Sequence, residues 1–376
     1  KIARVYAKPM LDPKFMREHA DAVKENVRRR RLAVDVDAYL RLDEERRALL
    51  QDVEALRRER NDIAQRIPGA APEERPALVE QGKALKERLA EREAALAGRE
   101  AETRALALEI PNMAHPDAPV GGSDDDNREL KRVGEIRPQA APKAHTELAQ
   151  ALDLLDFERA AKVTGAKFYY VKGRLVVLQQ ALILWALQEL AKEGFIPLET
   201  PDLAKDEVLL GTGYQPRGPE TQIYSVEGTD LSLIGTAEIT VGGYHKDEIL
   251  AEDQLPLKYV GLSHCFRTEA GAYGRESYGL YRVHQFSKVE MFVFCAPWQS
   301  DALHEDLRRL EERLFTQLGI PFRVIDTCTA DLGAPASRKY DLEAWMWGKN
   351  GGKGGWGEIT SASNCTDYQA RRLNIR

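Results

Sequence analysis

The chain holds 376 residues, with 54 Lys and Arg against 60 Asp and Glu, for a formal net charge of −6. That length is enough for a large core and a second domain, while the acidic balance excludes a uniformly basic nucleic-acid binder, so an RNA contact has to use local patches. The four cysteines, Cys265, Cys295, Cys328 and Cys365, are scattered without a Cys-x-x-Cys pair, which fits a reducing compartment and offers no zinc site. The amino end has no signal-peptide apolar core, and no apolar run reads as long and unbroken enough to span a bilayer. The expected location is the cytoplasm, with neither a membrane nor DNA as a partner.

From about residue 36 to 110 the chain is rich in Arg, Glu, Ala and Leu. Leu42, Leu49, Leu56 and Ile63 recur every seven residues, with Val53 and Ile67 four after two of them. Beyond Pro68-Gly-Ala-Ala-Pro72 a second series follows: Leu78, Leu85 and Leu106 at one position, Leu89, Leu96 and Ile110 at the other. Two heptad helices joined by a short Pro/Gly turn make an antiparallel coiled-coil hairpin, each helix of roughly 30 residues running about 45 Å at 1.5 Å per residue. Arg46, Arg60, Arg92 and Arg99 fall on core-phase positions, so their heads are expected to snorkel outward. Such an arm buries little beyond its own seam and reads as a reaching device. Arg57, Arg58, Arg60 and Arg66 on one helix, with Lys83, Lys86 and Arg88 on the other, place cations where they can touch phosphates. Interspersed glutamates leave the plainer alternative, a solvated charged exterior.

Residues 111–145 are rich in Pro, Gly and Asp and read as a linker. The helix around 174–193 is apolar nearly all round from Leu175 to Leu190, which predicts burial. Gly194-Phe-Ile-Pro-Leu-Glu-Thr-Pro201 follows, a strand closed by a proline, suited to an edge or interface where no ladder hydrogen bond is needed. Leu231-Ser-Leu-Ile-Gly-Thr-Ala-Glu238 is an apolar strand ending in a hydroxyl and a carboxylate, a cup for a small zwitterion, although an isolated Thr-x-Glu is more often a helix cap.

Residues 266–290 are the most informative stretch. Two apolar, β-prone runs flank a Gly-rich charged loop, the pattern of a hairpin with a long connection. Arg267, Glu269, Arg282 and Glu290 are placed near the strand ends among Phe266, Val283, Phe286 and Val289. Charges so close to buried positions need partners; two arginines suit polyphosphate, a carboxylate suits a cationic group, and Phe286 offers a flat face to a base. Further on, Glu358 and Ser361 are hard oxygen ligands three residues apart at a strand-to-turn position, suited to Mg²⁺ on phosphates. There is no Gly-x-x-x-x-Gly-Lys-Ser/Thr loop and no strand-linked Gly-x-Gly-x-x-Gly; the cluster at 348–357 reads as a hairpin loop, and His284 as structural.

Phe266-Arg-Thr-Glu, a variable loop, then Arg282-Val-His-Gln-Phe286 resembles motif 2 of the class II aminoacyl-tRNA synthetases. The Glu269-Ala-Gly and His284-Gln-Phe-Ser-Lys-Val-Glu290 strings are similar specifically to seryl-tRNA synthetases of bacterial type. Residues 194–203 resemble motif 1, residues 231–238 the serine-recognising element, and Gly357-Glu-Ile-Thr-Ser-Ala-Ser-Asn-Cys-Thr-Asp-Tyr-Gln-Ala-Arg-Arg372 the strand closing the ATP site. The resemblance covers about 10–376 and implies an α+β fold: a coiled-coil tRNA-binding arm (10–112), a linker (113–145) and a class II catalytic core on a mostly antiparallel sheet (146–376).

It also implies roles. Arg267, Glu269 and Arg282 are catalytic; Thr236, Ala237, Glu238 and Glu290 bind L-serine. Arg267, Thr268, Glu269, Val283, Phe286, Glu358, Ile359, Thr360 and Ser361 bind ATP, and Glu358 with Ser361 holds Mg²⁺. The arm grips tRNA(Ser), and by the same resemblance tRNA(Sec); motif 1 forms a homodimer. The expected activity is serine–tRNA ligation, against the alternative of an impaired synthetase-like RNA-binding or regulatory protein. Amino acid:carrier-protein ligases share such a core but lack the arm. Met10 resembles the family's usual start, so residues 1–9 read as an extension or tag. Family members continue for roughly fifty residues through motif 3, so the sequence reads as a fragment of a longer protein.

Overall fold

The computed structural model describes residues 11–214, 222–270 and 279–376. The expected extension, the Met10 start and residues 271–278 of the loop between the two motif 2 strands lie outside these residues. The chain divides into two compact units, with the boundary between Pro111 and Asn112.

The first unit opens with α1 (Pro13–Glu18) and α2 (Ala20–Arg29), which the heptad pattern did not announce. Their apolar residues Met16, Val23 and Val27 are buried. Next come α3 (Val36–Arg66), N-capped by the Asp35 carboxylate on the Ala38 N–H at 2.8 Å, a 3₁₀ turn (Ile67–Gly69), and α4 (Arg75–Glu109) with a proline in its first turn. At 31 and 35 residues the two long helices run about 46 and 52 Å. Val53, Leu56, Ile63, Leu78, Leu85, Leu89 and Leu96 form one buried seam, as the heptads require. Past Leu96 the seam changes character: Thr103 and Ala107 are buried while Leu106 is only half-buried. Arg60 and Arg92 do turn outward, but Arg46 does not simply snorkel. It donates to the buried Asp43 carboxylate at 2.7 Å, which also accepts from Arg17 at 2.8 Å.

The second unit begins with β1 (Arg128–Val133), α5 (His145–Ala151), β2 (Leu155–Asp156), α6 (Phe157–Thr164), β3 (Tyr170–Val171), α7 (Arg174–Ala191), β4 (Ile196–Glu199), β5 (Leu203–Lys205), α8 (Asp206–Thr212), β6 (Leu231–Leu233) and α9 (Ala237–Gly242). It continues with β7 (Leu257–Phe266), β8 (Gln285–Phe294), α10 (Ser300–Gln317), β9 (Phe322–Asp326), β10 (Arg338–Met346), the turn α11 (Lys349–Gly352), β11 (Gly355–Asn364) and α12 (Tyr368–Arg372). The strands divide between two main sheets rather than one. An antiparallel sheet runs β1-β9-β10-β11, and a second runs β4-β7-β8, with β4 parallel to β7 and β7 antiparallel to β8. Among the described residues β8 and β11 are each paired along one side only.

Alternation along the β7–β8 hairpin sorts the second sheet into two faces. Val260, Val289, Met291 and Val293 pack with Leu187, Leu190 and Phe195 and with Leu307, Leu310 and Leu314 of α10. Phe292 and Phe294 on the opposite face pack with Ala237 and Val241 of α9 and with Leu373. Gly261 is required there. A Cβ on it would lie 2.9 Å from Val241 Cγ2 and 3.0 Å from Ala237 Cβ, so only glycine lets α9 approach the strand.

Two expectations need correction. Residues 113–145 are not simply a linker, because Arg128–Val133 is the edge strand β1, paired with β9. Asn112 is tied into this unit as well, donating to the Pro335 and Cys365 carbonyls at 2.8 and 2.9 Å. A short edge strand carrying Arg128, Glu129, Lys131 and Arg132 is charged as edges usually are, which hid it within a polar stretch. Second, α7 is not buried: only Leu190 is enclosed, while Val177, Leu178 and Leu184 are exposed by 69%, 53% and 57%. By length and composition α7 also passes for a membrane span, contrary to the expectation that no run would. Its Leu187–Leu190 end nevertheless packs on the sheet. Apolar composition on all sides calls for cover, and one chain supplies it on one side.

Candidate active site

A cleft of about 1380 Å³ opens in the second unit, and most of the expected side chains line it: Glu238, Arg267, Glu269, Arg282, Val283, Phe286, Glu290 and the run from Glu358 to Ser361. Thr236, Ala237 and Thr268 are not in its wall. The cations Arg57, Arg58, Arg60, Arg66, Lys83, Lys86 and Arg88 belong to the other unit.

At the hairpin mouth, the Arg267 N–H donates to the His284 carbonyl at 3.0 Å, and His284 Nδ1 lies 2.9 Å from the Arg267 carbonyl. His284 therefore braces Arg267 from behind, as a structural histidine would. The Arg267 Nε donates to the Gly235 carbonyl at 3.3 Å, and its guanidinium sits 5.1 Å from the Phe286 ring centroid. The ring expected to stack on a base thus carries the arginine on one face. Arg282 Nη1 donates to the buried Glu269 carboxylate at 2.7 Å. Glu269 has a φ of +50°, a left-handed backbone uncommon for a non-glycine residue at the close of a strand pair. Glu290 differs from expectation. It lies mid-strand in β8, opposite Gly261, rather than near a strand end.

The Thr-x-Glu element does two jobs at once. Thr236 is the N-cap of α9, its Oγ1 accepting from the Glu238 N–H at 3.1 Å, which is the plain helix-cap role; the same hydroxyl donates to Glu290 Oε2 at 2.9 Å. Lys288, two residues before Glu290 on the same face, closes an ion pair with that oxygen. Glu238 accepts from the Tyr214 hydroxyl at 3.1 Å and from Gln369 Nε2 at 2.6 Å. Burial raises the proton affinity of the Glu238 carboxyl and Glu290 raises it further, with Lys288, Gln369 and Tyr214 opposing. Ala237 points the other way, into the core with Tyr259 and Leu373, so any part it has in the site is through its backbone.

On β11, Glu358 and Ser361 sit within the strand, not at a strand-to-turn position. Three residues apart, they would face opposite sides of a regular strand. The register shows why they do not: Glu343 pairs with Glu358 and Leu342 with Thr360, leaving Ile359 as the extra residue of a β-bulge. The bulge turns Glu358 and Ser361 to one face, where both are exposed. Ile359 lines the cleft and also packs on the Phe322–Val324–Leu342 core.

Residues 10–114 match the seryl-tRNA synthetase N-terminal domain, and residues 223–376 the class II tRNA synthetase core domain of the G, H, P, S and T enzymes. The serine–tRNA ligase of Treponema denticola is 57% identical over 98% of this chain and 87% of its own length; that of Rubrobacter xylanophilus is 53% identical over 98% and 86%.

The chain belongs to the seryl-tRNA synthetase family.

A crystal structure of seryl-tRNA synthetase from Pyrococcus horikoshii complexed with ATP superimposes with a TM-score of 0.87 at 40% identity, covering 97% of this chain and 87% of that one. A cytoplasmic serine–tRNA ligase from Naegleria fowleri in complex with AMP gives 0.82 at 30% identity, covering 99% and 87%. Against this seryl-tRNA synthetase fold, three residues stand out that the sequence reading passed over: Tyr214, Lys288 and Gln369. Lys288 had a legible signal, the two-residue spacing to Glu290 on a strand. Tyr214 and Gln369 lie 24 and 131 residues from Glu238, and only the fold joins them.

Proposed function

We propose that this protein activates L-serine with ATP and transfers it to the 3′ end of tRNA(Ser). The observation that carries the reading is the hydrogen bond from Thr236 to Glu290. It gathers Thr236, Glu238 and Glu290 into one polar cup beside the phosphate-suited Arg267. In that cup Glu238 holds the serine ammonium and Glu290 its hydroxyl, while Thr236, buried behind them, fixes Glu290. The serine carboxylate oxygen attacks the α-phosphorus of ATP, the bond to pyrophosphate breaks, and seryl-adenylate remains. Arg267, half-buried and braced by His284, offsets charge on the α-phosphate in the transition state, and positioning supplies much of the rest. Phe286 offers its ring to adenine. Glu358 and Ser361 would hold Mg²⁺: an exposed carboxylate and hydroxyl on one face are a donor set that a hard cation accepts. When bound, the ion neutralises β- and γ-phosphate charge.

The arm is proposed to hold the tRNA. Arg66, Lys86 and Arg88 make no ion pair within the chain among the described residues, whereas Arg57 is engaged across the hairpin by Glu93 at 2.5 Å, and Arg58 and Lys83 lie 3.7 and 3.6 Å from Glu54 and Glu80. The first three are therefore the better phosphate partners. The uncovered apolar side of α7, directly preceding β4, supports a homodimer through this region. Free thiols at all four cysteines accord with a reducing cytoplasm. The test is charging of tRNA by the full-length protein with each labelled amino acid in turn. A base-labile ester on tRNA(Ser) with serine alone is expected; charging with another amino acid instead would overturn the proposal.

A further inference from the structure

Glu238 is held in an unusual way for a carboxylate at the bottom of a cleft. Each of its oxygens has one fixed donor: the Tyr214 hydroxyl on Oε2 at 3.1 Å and the Gln369 amide on Oε1 at 2.6 Å. Both donors are themselves anchored. Gln369 is 7% exposed on α12 and its Nε2 also donates to the Thr212 carbonyl at 3.0 Å. Tyr214 follows α8, its N–H bonded to the Leu209 carbonyl at 2.9 Å. Both donors are also neutral. A lysine or arginine in either place would orient Glu238 equally well but would cancel its charge. An amide and a phenol fix the carboxylate's plane and leave its charge for a ligand.

We propose that Gln369 and Tyr214 are positioning residues that make Glu238 an oriented, uncancelled anion, and so set the cleft's selectivity for an α-ammonium group over a neutral α-hydroxyl. The inference rests on the reading of the cleft as an amino-acid-activating site. The charged and titratable groups around Glu238 are Glu290 and Lys288 from β8, Arg267 at the end of β7, Tyr214 itself, and the Cys365 thiol after β11. Of these Lys288 already pairs with Glu290 and Arg267 lies against Phe286. No cation is bonded to Glu238 among the described residues.

The experiment uses the full-length enzyme with Tyr214→Phe and Gln369→Met, changes that remove one donor each with little change of shape. Pyrophosphate exchange is measured against serine and ATP from about pH 5.5 to 8.5. Each variant is expected to raise the serine KM about tenfold or more, the usual effect of losing a hydrogen bond to a charged group, with kcat and the ATP KM within about twofold of wild type. Losing a donor destabilises the anionic form, so the acid limb of kcat/KM for serine should move to higher pH in both variants. In a Glu238→Gln background the Tyr214→Phe change should add nothing further. An unchanged serine KM with an unmoved acid limb overturns the clamp, as does an equal loss in serine and ATP parameters. If wild type activates a different amino acid, the serine reading fails alone and the same variants are read out with that amino acid. A wild-type protein that activates none overturns both.

Discussion

Thr236→Val replaces a buried hydroxyl by a methyl of nearly the same volume, and its two losses can be estimated separately. The α9 cap, Thr236 Oγ1 on the Glu238 N–H at 3.1 Å, is worth about 1 kcal/mol, with a span of roughly 0.5 to 2. The bond to Glu290 Oε2 at 2.9 Å involves a charged acceptor, for which about 1.5 to 3 kcal/mol is usual. The lower half of that span applies, because the Lys288 ammonium remains on the same oxygen. The variant should therefore lose about 2 to 4 kcal/mol in all, divided between folding and substrate binding. Thr236→Ser keeps both bonds and should lose about 1 kcal/mol, the value of one buried methyl. Urea unfolding followed by tryptophan fluorescence reads the folding part, since Trp185, Trp298, Trp345, Trp347 and Trp356 all lie in the second unit. The serine KM reads the remainder, and the ATP KM should hold steady. A valine variant within 0.5 kcal/mol of wild type by both measures, a threshold set by ordinary surface substitutions, would refute the dual role. So would a serine variant as damaged as the valine one.

Arg267→Ala should lower serine-dependent pyrophosphate exchange on the order of 10²–10³-fold; a fall under tenfold would leave the arginine only structural. Removing the whole arm unit, Pro9–Pro111, should abolish tRNA charging and spare serine activation, and tRNA affinity in the intact protein should fall with salt at a log–log slope of roughly −0.7 to −0.9 per phosphate contact. Equal loss of both half-reactions would show that the arm supports the catalytic fold instead. Glu311→Gln tests a buried acid whose proton affinity is raised well above the carboxylate range by burial, with Glu290, Asp341 and Glu312 adding to it. The folded state then binds the proton more tightly than the unfolded one, so stability falls as pH rises above the unfolded value of about 4.3. The variant should gain a few degrees in Tm at pH 8 and almost nothing near pH 4; a loss at pH 8 would contradict this. Sedimentation should find a symmetric dimer at assay concentration, and an active monomer would remove the role assigned to α7.

What could be read from the sequence follows the range of the interactions involved. The arm's seam was legible because Leu56, Ile63, Leu85 and Leu89 declare their phase within one helix. The β7–β8 hairpin was legible for the same reason, with Phe286 and Glu290 on one side of a period-two strand. The bulge at Ile359 was not, because the unpaired residue is defined only against Leu342 and Glu343 on the partner strand. That is why Glu358 and Ser361 were placed at a strand-to-turn position rather than within β11. β1 escaped notice because its pairing with β9 spans about 190 residues and its own composition is polar. α7 failed in the opposite sense: its composition declared a need for burial, but not which surface would meet it.

The most direct measurement is amino-acid-dependent exchange of pyrophosphate into ATP by the full-length protein, run across all twenty amino acids. Serine alone should support exchange, because Glu238 offers its carboxylate to the ammonium and Glu290, fixed by Thr236, offers a second to the hydroxyl of a small substrate. Exchange with a different amino acid, and none with serine, would contradict the reading.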